Sequence, residues 1–576
     1  MTRKCSCWGC AGKGALRSSM PKRLVVIGAV AAGTKAAAKA RREHPDWEIT
    51  VLERDYDISY AGCGLPYFIG GIIREREELV VRTPEYFRSA FGIDVLTGHE
   101  ATSIDTSSKK VLAKDISSGE EKEFPYDTLV IATGASPLVP PVPGINLPGV
   151  HTVRRVTDAE RIVGVLDAKS PKAQRAVVVG GGMIGLEVAE NLRARGLDVS
   201  VIELTGQVLP GFDPEMAALV QAALENGGVQ VLCGERVTAF EAGPQGGLAK
   251  AVTSSGSLDC DLAVWATGVR PNAGLARAAG IEIGPTGAIK VDCNMRTSVQ
   301  DVFAVGDCAE NRNLLTGKPA WYPMGSTANK MGRIAALNLE EGTCEGPALA
   351  GVLGTTVLKV FSVNAAKTGL SEKAAREEGF HVVTVLVPAN DRAHYYPGYK
   401  MIVTKLVVDA ATHRVLGGQI VGEGVVDKPI DVIATAISLG GTVEDLASLD
   451  LAYAPPFSMA MSSTTVAANV ALNKLTGKVT GVGPAYMHAM LGEPGIQVVD
   501  VRTGDEVEMG RIPGSLHIPL SELPQRIEEL DRSKQQVLVC RVGLRAYLAS
   551  NILRDSGFEK VSILDGGMIT WHYGIS

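Results

Sequence analysis

Unbroken apolar runs, each ending in a glycine turn that opens a stretch of helical periodicity, recur along the chain. Residues 24–33, LVVIGAVAAG, start with a run suited to a strand buried on both faces. The chain turns at Gly28, passes Gly33 and enters a small-residue stretch reaching Arg42 that predicts a helix. The next apolar run, EITVLE, ends at Glu53. The order repeats at 176–185, AVVVGGGMIG, where Gly180, Gly182 and Gly185 precede the helical LEVAENLRARG and the run DVSVIEL places Glu203 at its close. Strand, glycine turn, helix, strand and acid together describe a dinucleotide-binding unit. The glycines admit a pyrophosphate to the helix N-terminus, and the acid accepts from ribose hydroxyls. The second copy is intact, whereas the first carries Val30 in place of its middle glycine. Glu203, with no arginine following to meet a 2′-phosphate, favours NADH, NADPH remaining possible.

Composition changes this picture little. A chain of 576 residues needs three or four domains. The net charge of -6 offers no footprint for nucleic acid. No apolar run reaches the ~18 residues that span a bilayer, and Met1 to Ser19 lacks a secretory stretch, so no membrane is expected and the cytoplasm is the expected compartment. The ten cysteines show no disulfide spacing. Cys5, Cys7 and Cys10 are close enough for a soft metal, but no matching ligand pair follows. Residues 1–20 are therefore read as an N-terminal extension without a metal.

Two cysteines carry candidate chemistry. Cys63 stands in DISYAGCGLPYFIGG with no second cysteine within six residues. It must therefore pair with an external sulfur or cycle through a sulfenate or persulfide. Cys540 ends an apolar run in CRVGLR, where a helix predicted from Leu544 turns its N–H groups and dipole toward the sulfur. Arg545 adds a cation able to hold an anionic sulfur donor.

From Pro21 to about Lys474 the chain resembles the single-cysteine branch of the pyridine nucleotide-disulfide oxidoreductases, and within it the coenzyme A disulfide reductases. The motifs are the glycine turns, Glu53, SYAGCGLPY, GSTANKMGRIAA, GTTVLKVFSVNAAKTGLSE, HYYPGYK and LAYAPPFS. The resemblance implies an FAD-binding domain over 21–149 and 268–339, an NAD(P)H-binding domain over 150–267 and an α+β dimerisation domain over 345–474 of a homodimer. FAD contacts would fall on Gly28, Gly33, Glu53, Arg54, Thr133 and Gly134 of LVIATGASP, Gly268 of AVWATGVRPN and Asp307 of VFAVGDCAE. Coenzyme A contacts would fall on Lys35, Lys39, Arg42 and Ser59. Tyr453 and Tyr395, or its neighbour Tyr396, match tyrosines that approach the redox cysteine across the dimer interface. Gly62, where asparagine is common, and Met461, where some members have lysine, depart from the pattern.

Residues 485–576 resemble a rhodanese domain, with Asp500 and Arg502 in VDVR, Arg511 where histidine is usual, and Cys540 as nucleophile. The expected fold class is α/β: two Rossmann-like domains, an α+β dimerisation domain and a C-terminal rhodanese domain. The expected activity is NAD(P)H-driven, FAD-dependent reduction of a small-molecule coenzyme A disulfide or persulfide, coupled to sulfur transfer. An NADH oxidase or peroxidase, and a chain acting mainly as a sulfurtransferase, are the alternatives.

Overall fold

The computed structural model describes residues 21–168, 173–340 and 346–576. Cys5, Cys7 and Cys10 lie outside the described residues. The first sheet is parallel and five-stranded, in the order Val302–Ala304, Thr128–Ile131, Arg23–Ile27, Glu48–Leu52 and Asp94–Leu96. Leu24, Val25 and Val26 are almost wholly buried whichever face they point to, because the helix Ala31–Glu43 and a small antiparallel sheet, His99–Asp105, Lys110–Asp115 and Glu121–Pro125, both pack against these strands. The helix Ala31–Glu43 crosses the helix Gly325–Ala336 closely. At Gly332 a Cβ would stand 2.4 Å from the Ala32 carbonyl oxygen, so the crossing requires glycine.

The strand Val302–Ala304 joins this sheet only after the chain has built a second one. That sheet is also parallel and five-stranded, in the order Val229–Cys233, Asp198–Glu203, Arg175–Val179, Leu262–Trp265 and Val150–Thr152. The chain leaves the first sheet through Ala135–Pro137 and returns through Val269–Pro271, and these two segments pair antiparallel. The two ATG segments of the sequence therefore lie at one paired crossing.

A third, antiparallel sheet follows, in the order Thr356–Val360, Val363–Gly369, Val415–Gly422, Met401–Asp409 and Val382–Asn390. The helices Asp427–Ser438 and Ser463–Leu475 pack on it. Lys405, 1% exposed, joins it to the second unit through Asp213 at 2.9 Å and Glu215 at 2.6 Å, and pairs with Glu372 of its own unit at 2.8 Å. A buried ammonium is tolerable only with such partners. The last sheet is parallel: Gly481–Val482, Val561–Leu564, Gln535–Val539, Ile496–Asp500 and Leu516–His517. The fold class expected from the sequence holds: parallel α/β units first, second and last, and an antiparallel α+β unit between them. No described helix is long and apolar enough to cross a membrane.

Candidate active sites

Both glycine turns are built the same way. Gly28 and Gly180 have φ of +107° and +111°, and a Cβ on either would meet a carbonyl oxygen, of Ala132 at 2.2 Å or of Ala266 at 2.5 Å. Gly33 and Gly185, inside the following helices, would strike the oxygens of Gly28 at 1.8 Å and Gly180 at 2.0 Å. Side chains are thus excluded where helix and strand touch. Gly182 and Gly268 face open space.

The two acids also match. Glu53 accepts the Ala29 N–H at 2.6 Å and the Asp55 N–H at 3.0 Å, while Glu203 accepts those of Gly181 at 2.6 Å and Thr205 at 2.8 Å. Burial pushes the Glu53 carboxyl up, and the two backbone donors only partly offset it. Arg54 lies outside the turn, 3.7 Å from Glu100 and 3.9 Å from Asp55.

Cys63 is exposed in a one-turn 3-10 helix, Gly62–Gly64, that leads into the helix Leu65–Ile69. The Arg154 guanidinium faces the same region. Its Nη2 is 3.9 Å from Asp307, and its nitrogens stand within 4 Å of where side chains on Gly62 and Gly134 would begin. Burial raises the Asp307 carboxyl and Arg154 lowers it. Thr133 donates to the Asn272 carbonyl at 2.7 Å, and Asn272 returns a bond to the Thr133 carbonyl at 2.8 Å, tying the two crossovers together. Ser59 holds a left-handed φ of +49° because its N–H is fixed to the Ala29 carbonyl of the first turn.

Two groups beside Cys63 escape sequence reasoning. Arg154, in HTVRRVTD, carries no signal distinguishing it from its neighbour Arg155. Glu187 follows Gly185 by two residues on the helix Met183–Ala194, on a stretch otherwise apolar, and a buried-face acid there was the available clue. The Tyr67 hydroxyl, four residues past Cys63, donates to Glu187 at 3.3 Å. Burial pushes the Glu187 carboxyl up to about 7 and the Tyr67 hydroxyl up to about 12.

The cations of the first helix differ. Lys35 is exposed, Lys39 pairs with Glu43 one turn on, and Arg42 donates to the Ala38 carbonyl at 2.9 Å. The Tyr395 and Tyr453 hydroxyls meet at 3.2 Å on an exposed surface with Phe457 and Met461. The pairing selects Tyr395 over Tyr396 as the companion of Tyr453.

Cys540 is 1% exposed, and its Sγ accepts the Gly543 N–H at 3.1 Å at the start of the helix Leu544–Asp555. Arg545 is not open to a ligand on both nitrogens, since it clasps Glu506 through Nη1 at 2.6 Å and Nη2 at 2.7 Å. The Arg545 guanidinium pulls the Glu506 carboxyl down to about 2. Glu506 also accepts from Thr503 in a capping box, a spacing legible in TGDE. Arg502 clasps buried Asp500 at 2.6 Å.

Two glycine-turn units, one solvent-facing thiol at their junction and a second thiol in a strand-to-helix loop define a redox enzyme of sulfur joined to a sulfur-transfer unit. Residues 22–329 match the pyridine nucleotide-disulphide oxidoreductase family, 355–465 its dimerisation domain and 483–573 the rhodanese-like domain; the chain belongs to that oxidoreductase family.

Among solved structures it is similar to reduced Bacillus anthracis CoADR-RHD, with 37% identity over 96% of this chain and 98% of that one and a TM-score of 0.91. A NAD-dependent persulfide reductase from A. fulgidus gives 43% identity, 95% and 100% coverage and a TM-score of 0.89. The NAD(P)H sulfur oxidoreductase (CoA-dependent) of Pyrococcus furiosus is 38% identical over 78% of this chain and 99% of its own length.

Proposed function

We propose that the protein is an NADH-dependent, FAD-containing reductase of coenzyme A persulfide or disulfide that passes sulfur to or from its rhodanese part. On this reading residues 21–149 with 268–339 hold FAD, 150–267 hold NADH, 345–474 form a homodimer and 485–576 transfer sulfur, in the cytoplasm. The observation that carries it is the thiol of Cys63, the exposed one among the described cysteines, at the junction of two glycine-turn units. A thiol without an internal partner must take its second sulfur from a substrate. The relatives named for persulfide, sulfur and coenzyme A support the choice of acceptor.

The residues present fit both dinucleotides. Gly28 and Gly33 let strand, turn and helix close tightly, since a Cβ on either would strike the carbonyl oxygen of Ala132 or Gly28, and Glu53 is a buried acid at the ribose end of that turn. FAD, when bound, supplies a two-electron carrier between nicotinamide and sulfur. Glu203, buried with its oxygens already facing N–H groups, would repel a 2′-phosphate, which supports NADH over NADPH.

The chain's own residues handle substrate and protons. The Cys63 thiolate attacks the disulfide or persulfide sulfur, one S–S bond forms on Cys63 as the substrate's S–S bond breaks, and the leaving thiolate takes the electron pair. Tyr395 and Tyr453, reaching over from a second copy, donate a proton to that thiolate. Lys35, with Lys39, Arg42 and Ser59 behind it, holds the coenzyme A phosphates. The net exchange is two electrons from NADH and two protons for one S–S bond, giving two thiols from a disulfide or one thiol and hydrogen sulfide from a persulfide.

The test is NADH oxidation by the purified protein with coenzyme A persulfide, coenzyme A disulfide, hydrogen peroxide or oxygen as acceptor. Turnover at least tenfold faster on the sulfur acceptors is expected. Faster turnover on peroxide or oxygen would move the reading to an oxidase or peroxidase.

A further inference from the structure

The loop that carries Cys540 is held from behind by a strap, residues 566–569, and the strap rests on the reductase. Met568 donates its N–H to the Cys540 carbonyl at 2.9 Å and Ile569 donates to the Arg541 carbonyl at 3.2 Å. The strap lies so close that a Cβ on Gly567, at φ +59°, would stand 2.3 Å from the Cys540 oxygen. In a planar trans peptide the C=O and the next N–H point opposite ways. Drawing the oxygens of Cys540 and Arg541 backward therefore aims the N–H groups of Arg541 and Val542 forward. Together with the Gly543 N–H, already on Sγ, they form a concave set of donors suited to a thiolate or its persulfide.

Beyond these bonds, the strap is also fixed from outside the rhodanese-like segment. Its turn, Gly567–Thr570, packs on the helix Pro214–Asn226 of the nucleotide unit, and Ile569 joins that unit's apolar core. Its other end begins at Asp565, where the Thr570 hydroxyl donates to the Asp565 carbonyl at 2.9 Å. The Asp565 carboxylate is paired at 2.5 Å with Lys474, at the end of the helix Ser463–Leu475, and both side chains are nearly buried. Lys474 donates in addition to the Thr384 carbonyl at 2.7 Å on the edge strand Val382–Asn390. Gly481 makes room for the pair: a Cβ there would stand 2.2 Å from the Asp565 carboxylate and 2.6 Å from the Lys474 nitrogen.

We propose that Lys474 is a positioning residue for sulfur transfer: through Asp565 it holds the strap whose N–H groups set the Cys540 loop, so that the reductase segment templates the rhodanese nucleophile. This rests on the reading of Cys540 as the sulfur-transfer thiol. In the step concerned, the Cys540 thiolate attacks a sulfane sulfur of an inorganic polysulfide and a new S–S bond forms on Cys540. The donor's S–S bond breaks, and the shortened polysulfide leaves with the electron pair, without net oxidation. A displaced strap would cost the thiolate one or more of its aligned N–H donors.

The test uses the full chain. Exchanging the pair for apolar residues, Lys474→Met with Asp565→Leu, avoids stranding a buried charge, and Lys474→Arg serves as the conservative variant. Two readouts are followed at Cys540 by mass spectrometry: uptake of one sulfur atom from inorganic polysulfide, and the pH profile of alkylation. In the double variant both are expected to fall about tenfold at neutral pH, with the alkylation profile moved to higher pH, as loss of one donor to a thiolate implies. Lys474→Arg should restore most of this, and NADH-dependent reduction of a small disulfide should be unchanged. Alkylation and uptake matching the unaltered protein would overturn the proposal. Uptake absent from the unaltered protein itself would overturn the sulfur-transfer reading instead, and the alkylation profile would still decide the positioning role.

Discussion

The two cysteines solve the same problem, keeping a sulfur reactive, in opposite ways. Cys540 is enclosed by its own segment: a strand delivers it, a helix opens beyond it, a backbone N–H meets its sulfur and a strap braces its carbonyl. Cys63 stands exposed on a single turn of 3-10 helix, and the groups around it come from distant stretches: Arg154 and Glu187 from the second unit and Asp307 from the far end of its own. A local loop, braced from behind, serves where the ligand is one sulfur atom. A site that must admit a nicotinamide, a flavin and a disulfide is assembled from the edges of several domains and left open for them.

The comparison breaks most sharply by removing each sulfur in turn. Cys63→Ser should lower NADH-dependent disulfide or persulfide reduction by about a thousandfold or more while leaving polysulfide uptake on Cys540 intact. Cys540→Ser should do the converse, abolishing sulfur uptake while NADH still bleaches the flavin at its original rate. Stopped-flow absorbance and intact-protein mass spectrometry read the two halves separately. If either serine variant lost both activities, the two sites would not be independent, and the division of labour drawn from their enclosures would be wrong.

How far the sequence anticipates each site follows from the same contrast. The Cys540 loop is legible because its parts are contiguous: an apolar run, CRVGLR and a helix. Glycine turns and their acids are legible for a related reason, since steric exclusion at Gly28, Gly33, Gly180 and Gly185 leaves no other residue possible. The surroundings of Cys63 are less so, because Arg154 and Glu187 reach it only through tertiary packing: nothing in the local sequence marks Arg154, and Glu187 is marked only as an acid in an otherwise apolar stretch of helix. Arg545 shows the remaining limit. Its position at the loop's end reads as an anion holder, yet a carboxylate 39 residues away occupies both of its outer nitrogens.

That clasp gives the second prediction, which sharpens how closed the Cys540 site is. If Arg545 braces the loop through Glu506, then Arg545→Lys and Glu506→Gln should each cost about 1 to 2 kcal/mol of stability in the C-terminal unit, the bidentate pair being partly exposed, and slow sulfur uptake by similar factors. The double variant should add little. The Glu506 carboxyl is lowered from 4.5 to about 2, so the clasp stabilises fully above about pH 4.5 and is lost as the pH falls toward 2. A double-mutant cycle in urea, at pH 7 and at pH 3, checks both points. A Glu506→Gln variant that took up anionic sulfur donors faster than the unaltered protein would instead make Arg545 a receptor held in reserve.

The smallest effect expected lies beside Cys63, where the neighbouring carboxyl titrates instead of staying charged. Glu187 is half-buried, and its carboxyl is raised from 4.5 to about 7 chiefly by burial, with the Tyr67 hydrogen bond working against the shift. Between those two values the folded chain keeps a proton that the unfolded chain has released. The sign follows: stability falls as the pH rises from about 4.5 to about 7, then levels off. With one pKa unit equivalent to about 1.4 kcal/mol and relaxation around the site reducing the whole, a decline of about 1 to 2 kcal/mol is expected. Glu187→Gln keeps an acceptor for Tyr67 and cannot titrate, so its melting temperature should follow a flatter course from pH 5 to pH 8 than that of the unaltered protein. Parallel courses would mean that water or bound cofactor already solvates the carboxylate, and that the Cys63 site is more open than its packing implies. Convergence of the two courses at pH 5 with separation at pH 8 would locate the titrating group at the junction between the nucleotide helix and the cysteine turn.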